Sequence, residues 1–171
     1  MAAPVRIRLL TEEDIPRITS VPSFLNFNAP ASYLKRLLSS QEKGELVFLV
    51  AHSGGKIAGF VYVRWQAEYP PFAAMGIPEI KDLRVHPDFR RRGIATALMD
   101  ESEKRIFERS PVAGIGVGLY ADYGPAQLMY IKRGYVPDGR GLAYKNQPVK
   151  PGRDVFVDDD LLLYFVKERQ P

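Results

Sequence analysis

The chain has 171 residues, with 24 lysines and arginines against 20 acidic residues and a formal net charge of +4. This length predicts a single domain over residues 1–171. The absence of cysteine excludes a disulfide framework, a thiolate metal site and a cysteine nucleophile, and two histidines are too few for a histidine-rich metal centre. The positive charge suits an anionic partner without identifying one.

Hydropathy predicts a protein without a membrane anchor. No apolar run approaches the ~20 residues needed to cross a bilayer, and the first residues lack the apolar core of a signal peptide. We therefore expect a cytoplasmic protein with no membrane partner.

The N-terminal part reads as a strand followed by two helices. Apolar and charged residues alternate over Val5–Leu9, which predicts a strand with one buried face. Thr11 is placed to cap a short helix, with Asp14 three residues further on. Apolar spacing predicts a second helix from about residue 31 to residue 43.

Two apolar, β-branched runs at 46–51 and 57–63 predict a β-hairpin. Gly54 and Gly55 lie in its turn, and no helix follows them as a phosphate loop would require. His52 at the strand end is expected at the surface. The aromatic, proline-rich loop at 65–72 has two open interpretations, a wall of a substrate pocket or a cap on the core.

The stretch from residue 77 to residue 99 predicts a strand, a turn and a helix. Its turn carries the consecutive arginines 90–92, which oppose the positive N-terminal end of the helix dipole. Gly93 and Ala95 leave the first backbone N–H groups of the helix uncovered, which favours a phosphate cradle. A solvated basic turn is the alternative.

The C-terminal half is predicted to contain several strands and one further helix. Glycines at positions 114, 116 and 118 strip one face of a predicted strand, which lets a ligand or another backbone approach. We expect a helix that ends at Gly134, a long excursion over residues 136–151 whose only strand-like piece is 142–144, and a last strand over 161–166. The acidic run 158–160 is expected to be a solvated turn and not a metal site.

Two motifs resemble one known family. Arg90-x-x-Gly93-x-Ala95, between a strand and an apolar helix, resembles the acetyl-CoA-binding motif of the GNAT superfamily of N-acetyltransferases. The segment 126–135 resembles the family's A-x-x-x-Y-x-K-x-G-F/Y signature. Tyr123 stands where many relatives have asparagine, which puts local cofactor contacts in question.

The resemblance covers nearly the whole chain and implies an α+β fold. We expect a GNAT-like mixed, mostly antiparallel central sheet of about seven strands, flanked by about four helices. In that family the fourth and fifth strands splay apart and hold the pantetheine arm of acetyl-CoA between them. Carried over, the Leu83 amide would hold the acetyl carbonyl, the Val85 amide the pantetheine, and the first turn of the next helix the pyrophosphate. The implied cofactor-binding residues are Leu83, Val85, Arg90, Arg91, Arg92, Gly93, Ile94, Ala95 and Thr96.

The resemblance also implies two catalytic residues. Glu79 lies in the register of the general-base glutamate of some relatives, although a strand-start glutamate can also be solvated or paired with Lys81. Tyr130 matches the tyrosine that protonates the coenzyme A thiolate, with a core tyrosine as the alternative. His86 is expected to be a turn residue and not a base.

The implied activity is transfer of an acetyl group from acetyl-CoA to an amine by direct attack in a ternary complex. Transfer from another acyl-CoA donor and a non-catalytic acyl-CoA sensor are the alternatives. The absence of a broader basic and aromatic array argues against nucleic acid as a partner. The acceptor, a small molecule or a peptide amine, is not identified by the sequence, although Phe24 and Phe27 are candidate pocket residues as well as candidate core residues. A homodimer is left open.

Overall fold

A computed structural model describes residues 4–21 and 30–170. Phe24 and Phe27 therefore lie outside the described residues. The chain divides into two compact units. Unit 1 comprises the described residues up to Arg64 together with Lys81–Arg105, and unit 2 comprises Trp65–Ile80 and the described residues from Ile106 onward. The single domain stays a prediction.

The described residues form one mixed sheet, with strand order β1-β2-β3-β4-β5-β8-β6-β7. The strands are β1 (Val5–Leu9), β2 (Leu46–Ser53), β3 (Lys56–Arg64), β4 (Glu79–Val85), β5 (Val112–Gly118), β6 (Val136–Tyr144), β7 (Gln147–Pro148) and β8 (Leu161–Glu168). The α-helices are α1 (Asp14–Thr19), α2 (Ala31–Glu42), α3 (Pro70–Met75), α4 (Ile94–Phe107) and α5 (Gly124–Lys132). Short 3₁₀ turns at Pro87–Phe89 and Ala121–Tyr123 precede α4 and α5.

This architecture confirms the predicted α+β class and the mostly antiparallel sheet. The pairs β1–β2, β2–β3, β5–β8, β6–β8 and β6–β7 are antiparallel, and β4–β5 is parallel. Eight strands and five helices among the described residues slightly exceed the predicted numbers. The additional strand is β7, which has two residues and follows a turn in which Lys145 and Asn146 have positive φ.

The additional helix is α3, which lies in the segment predicted to be a loop. Pro70 and Pro71 occupy its first positions, where a helix needs neither a backbone N–H nor a free φ. Gly76 ends it in the left-handed region at φ 64°. Proline thus starts a helix here, whereas the proline-rich composition predicted a loop.

In unit 1, α1 and α2 pack on the sheet over a core that includes Phe48, Phe60 and Tyr62. The fully buried Asp14 receives two hydrogen bonds from Arg8, at 2.6 and 2.8 Å, and one from the Thr11 backbone N–H at 3.0 Å. Asp14 therefore reaches back to the Thr11 N–H, but the prediction that Thr11 caps this helix is wrong. The helix begins at Asp14 with Glu13 as its N-cap, and the Thr11 hydroxyl donates to Asp14 instead of accepting from a helix N–H.

His52 departs from its predicted surface position. Its side chain is 15% exposed and its Nε2 lies 3.7 Å from Asp14 Oδ1. Burial and the positive charge of Arg8 lower the pKa of His52, and Asp14 only partly offsets them. Burial alone would raise the pKa of Asp14, but the hydrogen bonds from Arg8 and Thr11 outweigh burial and hold that pKa below its ordinary value.

In unit 2, the predicted excursion at 136–151 is mostly strand. β6 pairs with β8 at both ends, and its register is interrupted between Pro137 and Leu142. The acidic turn at 158–160 accepts hydrogen bonds from three tyrosine hydroxyls. Tyr120 and Tyr123 both donate to Asp159, and Tyr144 donates to Asp158 at 3.1 Å.

Candidate active site

The arginine turn before α4 has an unusual backbone. Arg91 and Gly93 both lie in the left-handed region, at φ 58° and φ 77°. The Gly93 carbonyl accepts from the Ala97 N–H at 2.9 Å, so the α4 ladder begins at this glycine. A Cβ on Gly93 would meet no described atom within 4 Å. Glycine is therefore favoured here by the backbone conformation and not by a lack of space.

This turn has the features of an anion site. The arginines 90–92 are exposed, and the guanidinium of Arg92 lies 5.6 Å from the centre of the Phe89 ring. The first amides of an α-helix have no acceptor within the helix, and no acidic residue lies in the first turn of α4 to satisfy its dipole. The predicted cradle residues thus lie consecutively in unit 1, with 90–93 in the turn and 94–96 at the start of α4.

Strand β4 has an irregular backbone conformation at one residue, which the sequence did not predict. Asp82 has φ 53°, in the left-handed region, although it lies within the strand. Such a residue breaks the regular alternation of a strand. Leu83 and Val85 follow it and are half-buried. One signal for this irregularity was available, because aspartate is depleted in strands.

Strand β3, the neighbour of β4 in the sheet, lies very close to β4 at Gly59. A Cβ built on Gly59 would lie 2.5 Å from the Arg84 carbonyl oxygen and 3.1 Å from the Ile94 side chain. The glycine therefore permits the contact between these two strands and the start of α4.

Glu79 lies at the start of β4 and is 2% exposed. It pairs with Gly114 of β5 in parallel register, and its Oε2 accepts from the Glu68 backbone N–H at 3.3 Å. It is therefore a buried carboxylate held by the backbone of the preceding segment, which corrects the alternative of a solvated strand-start glutamate.

A stacked pair of tyrosines belongs to the same unit as Glu79. Tyr69 and Tyr164 are both buried, with ring centres 3.6 Å apart and planes within 4°. Tyr164 donates to Asn146 at 2.7 Å, and Tyr69 donates to Asp138 at 3.2 Å. Burial and the charge of Asp138 raise the pKa of Tyr69 to about 12, while burial and the charge of Glu79 raise the pKa of Tyr164.

The aromatic segment 65–72 was expected either to line a substrate pocket or to cap the core, and its buried residues belong to the core. Tyr69 and Phe72 pack with Ile77 and Tyr164 in the core of unit 2. Trp65 is half-buried and lies 4.2 Å beneath the guanidinium of Arg109. The buried aromatic residues therefore build the core that surrounds the β4–β5 pairing.

Aromatic rings, and not a ligand, occupy the glycine face of β5. A Cβ at Gly114 would lie 2.3 Å from the Phe72 ring, and one at Gly118 would lie 2.4 Å from the Tyr123 ring. At Gly116 the nearest atom, 2.9 Å away, belongs to Tyr164. A close approach to this face is confirmed, but the prediction that a ligand or another backbone makes it was wrong, because aromatic side chains of the same chain do so.

Tyr130 lies on α5 and is 5% exposed. Its ring centre lies 6.0 Å from that of Tyr135, and its carbonyl accepts from the Tyr135 N–H at 3.0 Å as the helix ends. Burial raises the pKa of Tyr130, so its hydroxyl stays protonated at neutral pH.

His86 is a turn residue, as predicted. Its Nδ1 accepts from the Asp88 backbone N–H at 3.1 Å and so caps the 3₁₀ turn. Within residues 4–21 and 30–170, no group of three or more His, Cys, Asp or Glu side chains could hold a metal ion. In the same part of the chain, the helices are too short or too polar to cross a bilayer.

Comparison with solved structures shows which proteins share this fold. The chain is similar to ribosomal-protein-alanine N-acetyltransferase from Brucella melitensis, with 20% identity, a TM-score of 0.69, and coverage of 96% of this chain and 99% of that one. It is similar to an N-acetyltransferase from Staphylococcus aureus Mu50, with 15% identity, a TM-score of 0.72, and coverage of 97% and 99%. It is also similar to PaiA N-acetyltransferase from Thermoplasma acidophilum in complex with coenzyme A, with 15% identity, a TM-score of 0.67, and coverage of 97% and 99%.

A match to a family model shows which family the chain belongs to. The model described as an acetyltransferase (GNAT) domain matches residues 44–137, which is more than half of the chain. The matched range contains Glu79, all of β4, the arginine turn and Tyr130. The predicted class, an acetyl-CoA-dependent N-acetyltransferase, agrees with this match, and the chain belongs to the GNAT acetyltransferase family.

Proposed function

We propose that the protein transfers the acetyl group of acetyl-CoA to a neutral amine by direct attack in a ternary complex. The observation that carries this proposal is the exposed arginine turn, which joins three cations to the uncovered amides of α4 inside the matched range. Such a turn suits the pyrophosphate of coenzyme A. The absence of cysteine supports direct attack, because a thiol that could carry the acetyl group is lacking.

In unit 1 the proposed roles concern the cofactor. Arg90, Arg91 and Arg92 and the amides up to Thr96 hold the phosphates. The Val85 amide holds the pantetheine arm, and the Leu83 amide donates to the acetyl carbonyl oxygen as that oxygen gains negative charge. One such donor contributes on the order of 3 kcal/mol to transition-state stabilisation.

In unit 2 the proposed roles concern protons. Glu79 takes a proton from the amine, directly or through water, because a primary amine with a pKa near ~10.4 is mostly protonated at neutral pH. Tyr130 donates its proton to the departing thiolate, and its raised pKa keeps it protonated for that purpose. The nitrogen–carbon bond forms as the carbon–sulfur bond breaks, so one proton leaves the amine and one reaches the thiolate.

The test separates an enzyme from a sensor. Thiol release from acetyl-CoA is followed with a panel of amines for the wild type, Glu79→Gln and Tyr130→Phe. We expect each variant to lose about 100-fold or more in kcat at neutral pH while retaining its affinity for coenzyme A. The Glu79→Gln deficit should shrink as the pH rises towards about 10.4, where half of the amine is already neutral. Cofactor binding without turnover by the wild type would instead support a sensor.

The cradle is tested by binding. Replacing the arginines 90–92 with glutamine should weaken calorimetric binding of coenzyme A at least about tenfold, since each contributes a charge-assisted contact. A matched control replaces three exposed cations of unit 2, Arg140, Lys150 and Arg153, and removes the same net charge. Equal losses in both triple variants would mean that only the overall charge attracts the cofactor.

A further inference from the structure

Asp82 is held in a conformation that a residue with a side chain adopts at a cost. At φ 53° a residue other than glycine is strained by about 1 kcal/mol or more, although aspartate tolerates this region better than most residues. Glycine would satisfy the same backbone without that cost. What aspartate adds at this position is a carboxylate.

Three elements of unit 1 are linked through that carboxylate and two tyrosine hydroxyls. The Tyr33 hydroxyl, on α2, donates to Asp82 Oδ2 at 3.5 Å. The Tyr62 hydroxyl, on β3, lies 3.4 Å from the Tyr33 hydroxyl. Tyr62 is 2% exposed, whereas Tyr33 and Asp82 are half-buried. The two phenols and the carboxylate thus form a chain that runs from the core to a partly accessible acidic group.

The chemistry of this cluster suits a cation. A carboxylate attracts an ammonium group by its charge, and the bond from the Tyr33 hydroxyl helps to hold Asp82 in position. The Tyr33 ring already has one cationic neighbour, because the Arg36 guanidinium lies 5.7 Å from its centre. Asp82 also directly precedes Leu83, whose amide is proposed to hold the acetyl carbonyl.

The cation that Asp82 favours is not the reacting nitrogen. The attacking amine must be neutral, and a carboxylate that paired with its ammonium form would stabilise the unreactive species. The carboxylate is useful if the acceptor carries another positive charge that stays protonated throughout the reaction.

We propose that Asp82, supported by Tyr33 and Tyr62, determines specificity by binding a second positive charge on the amine acceptor. The acceptor class is therefore a primary amine with a second cationic group. This inference rests on the proposed acetyl transfer, since it assigns the acceptor of that reaction.

The test compares two amines that differ in the second charge, 1,4-diaminobutane and butylamine. With acetyl-CoA and the wild type at pH 8, we expect kcat/KM to favour the diamine at least about tenfold, the effect of one charged hydrogen bond. Asp82→Asn, which retains the local shape, and Asp82→Gly, which relieves the backbone, should both bring the ratio close to one by raising the KM for the diamine. Tyr33→Phe should lower the ratio less.

The matched control is Glu42→Gln. Glu42 is an exposed carboxylate at the far end of α2, nine residues or about 13 Å along the helix from Tyr33, and its replacement removes the same charge. It should keep the diamine preference of the wild type. A wild type that uses both amines equally, or an Asp82→Asn variant that keeps the preference, would overturn the proposal.

Failure of the proposed function is recognised separately. If the wild type releases no thiol with either amine, calorimetric titration of 1,4-diaminobutane into protein saturated with coenzyme A decides the role of Asp82. Binding at least about tenfold tighter to the wild type than to Asp82→Asn supports it. Equal binding, or no binding to either protein, contradicts it.

Discussion

Replacing Gly114 with alanine tests the packing around the β4–β5 pairing. The new Cβ would lie 2.3, 2.6 and 2.9 Å from three atoms of the Phe72 ring. That ring is completely buried and meets Tyr69 and Tyr164 edge-on, with centres 5.0 and 5.3 Å away. It cannot move without displacing the stacked tyrosines, so we expect a cost in the upper part of the range for overpacking, about 2–3 kcal/mol.

The assay is thermal unfolding, with the same substitution at Gly124 as the control. Gly124 is the first residue of α5, has φ −52° and ψ −48°, and no described atom lies within 4 Å of its added Cβ. Alanine there should stabilise the protein by up to about 1 kcal/mol. For a chain of this length 1 kcal/mol shifts Tm by about 2–4 °C, so Gly114→Ala should lower Tm by about 4–12 °C.

A suppressor identifies the clashing group. Phe72→Leu alone should destabilise the protein by leaving space in the core, but it should cost much less when combined with Gly114→Ala. Additive effects of the two substitutions, or equal Tm values for the alanine variants at 114 and 124, would show that the added Cβ at position 114 does not clash with the Phe72 ring.

Two further predictions concern pH and the arginine turn. Because the folded-state pKa of His52 lies below its ordinary value of 6.5, the unfolded chain binds the proton first and stability should fall as pH drops below about 6.5. The stability that Asp14 contributes is present above its ordinary pKa of 3.8 and is lost only at lower pH. Between pH 7 and 5, the free energy of unfolding measured with urea should therefore depend less on pH for His52→Gln than for the wild type. A parallel decline in both proteins would contradict this. Gly93→Ala should cost about 1–2 kcal/mol through its left-handed φ, and Gly93→Asn should cost less, as measured by urea unfolding. Equal losses would show that the backbone conformation is not the cause.

The sequence predicted the elements whose patterns are local. The period-2 run predicted β1, the two apolar, β-branched runs predicted the β2–β3 hairpin, and the apolar spacing after the arginine turn predicted α4. These features depend on neighbouring residues, which is why periodicity and turn chemistry suffice to predict them.

What the sequence did not predict depends on contacts between distant residues. Glycines in β5 indicated a close approach, but only the fold shows that Phe72 and Tyr123 supply it. Likewise, burial of Glu79 and its bond to the Glu68 N–H follow from tertiary packing. The left-handed Asp82 is a backbone choice that periodicity cannot reveal.

The central claim is direct transfer of the acetyl group to an amine, without an acetylated enzyme. Mass spectrometry of a single turnover tests it by recording the intact protein and the amine after mixing with acetyl-CoA. An N-acetylated amine should form only when both substrates are present, and the protein mass should stay unchanged throughout. A protein that gains the mass of one acetyl group from acetyl-CoA alone, and then passes it to the amine, would contradict direct transfer.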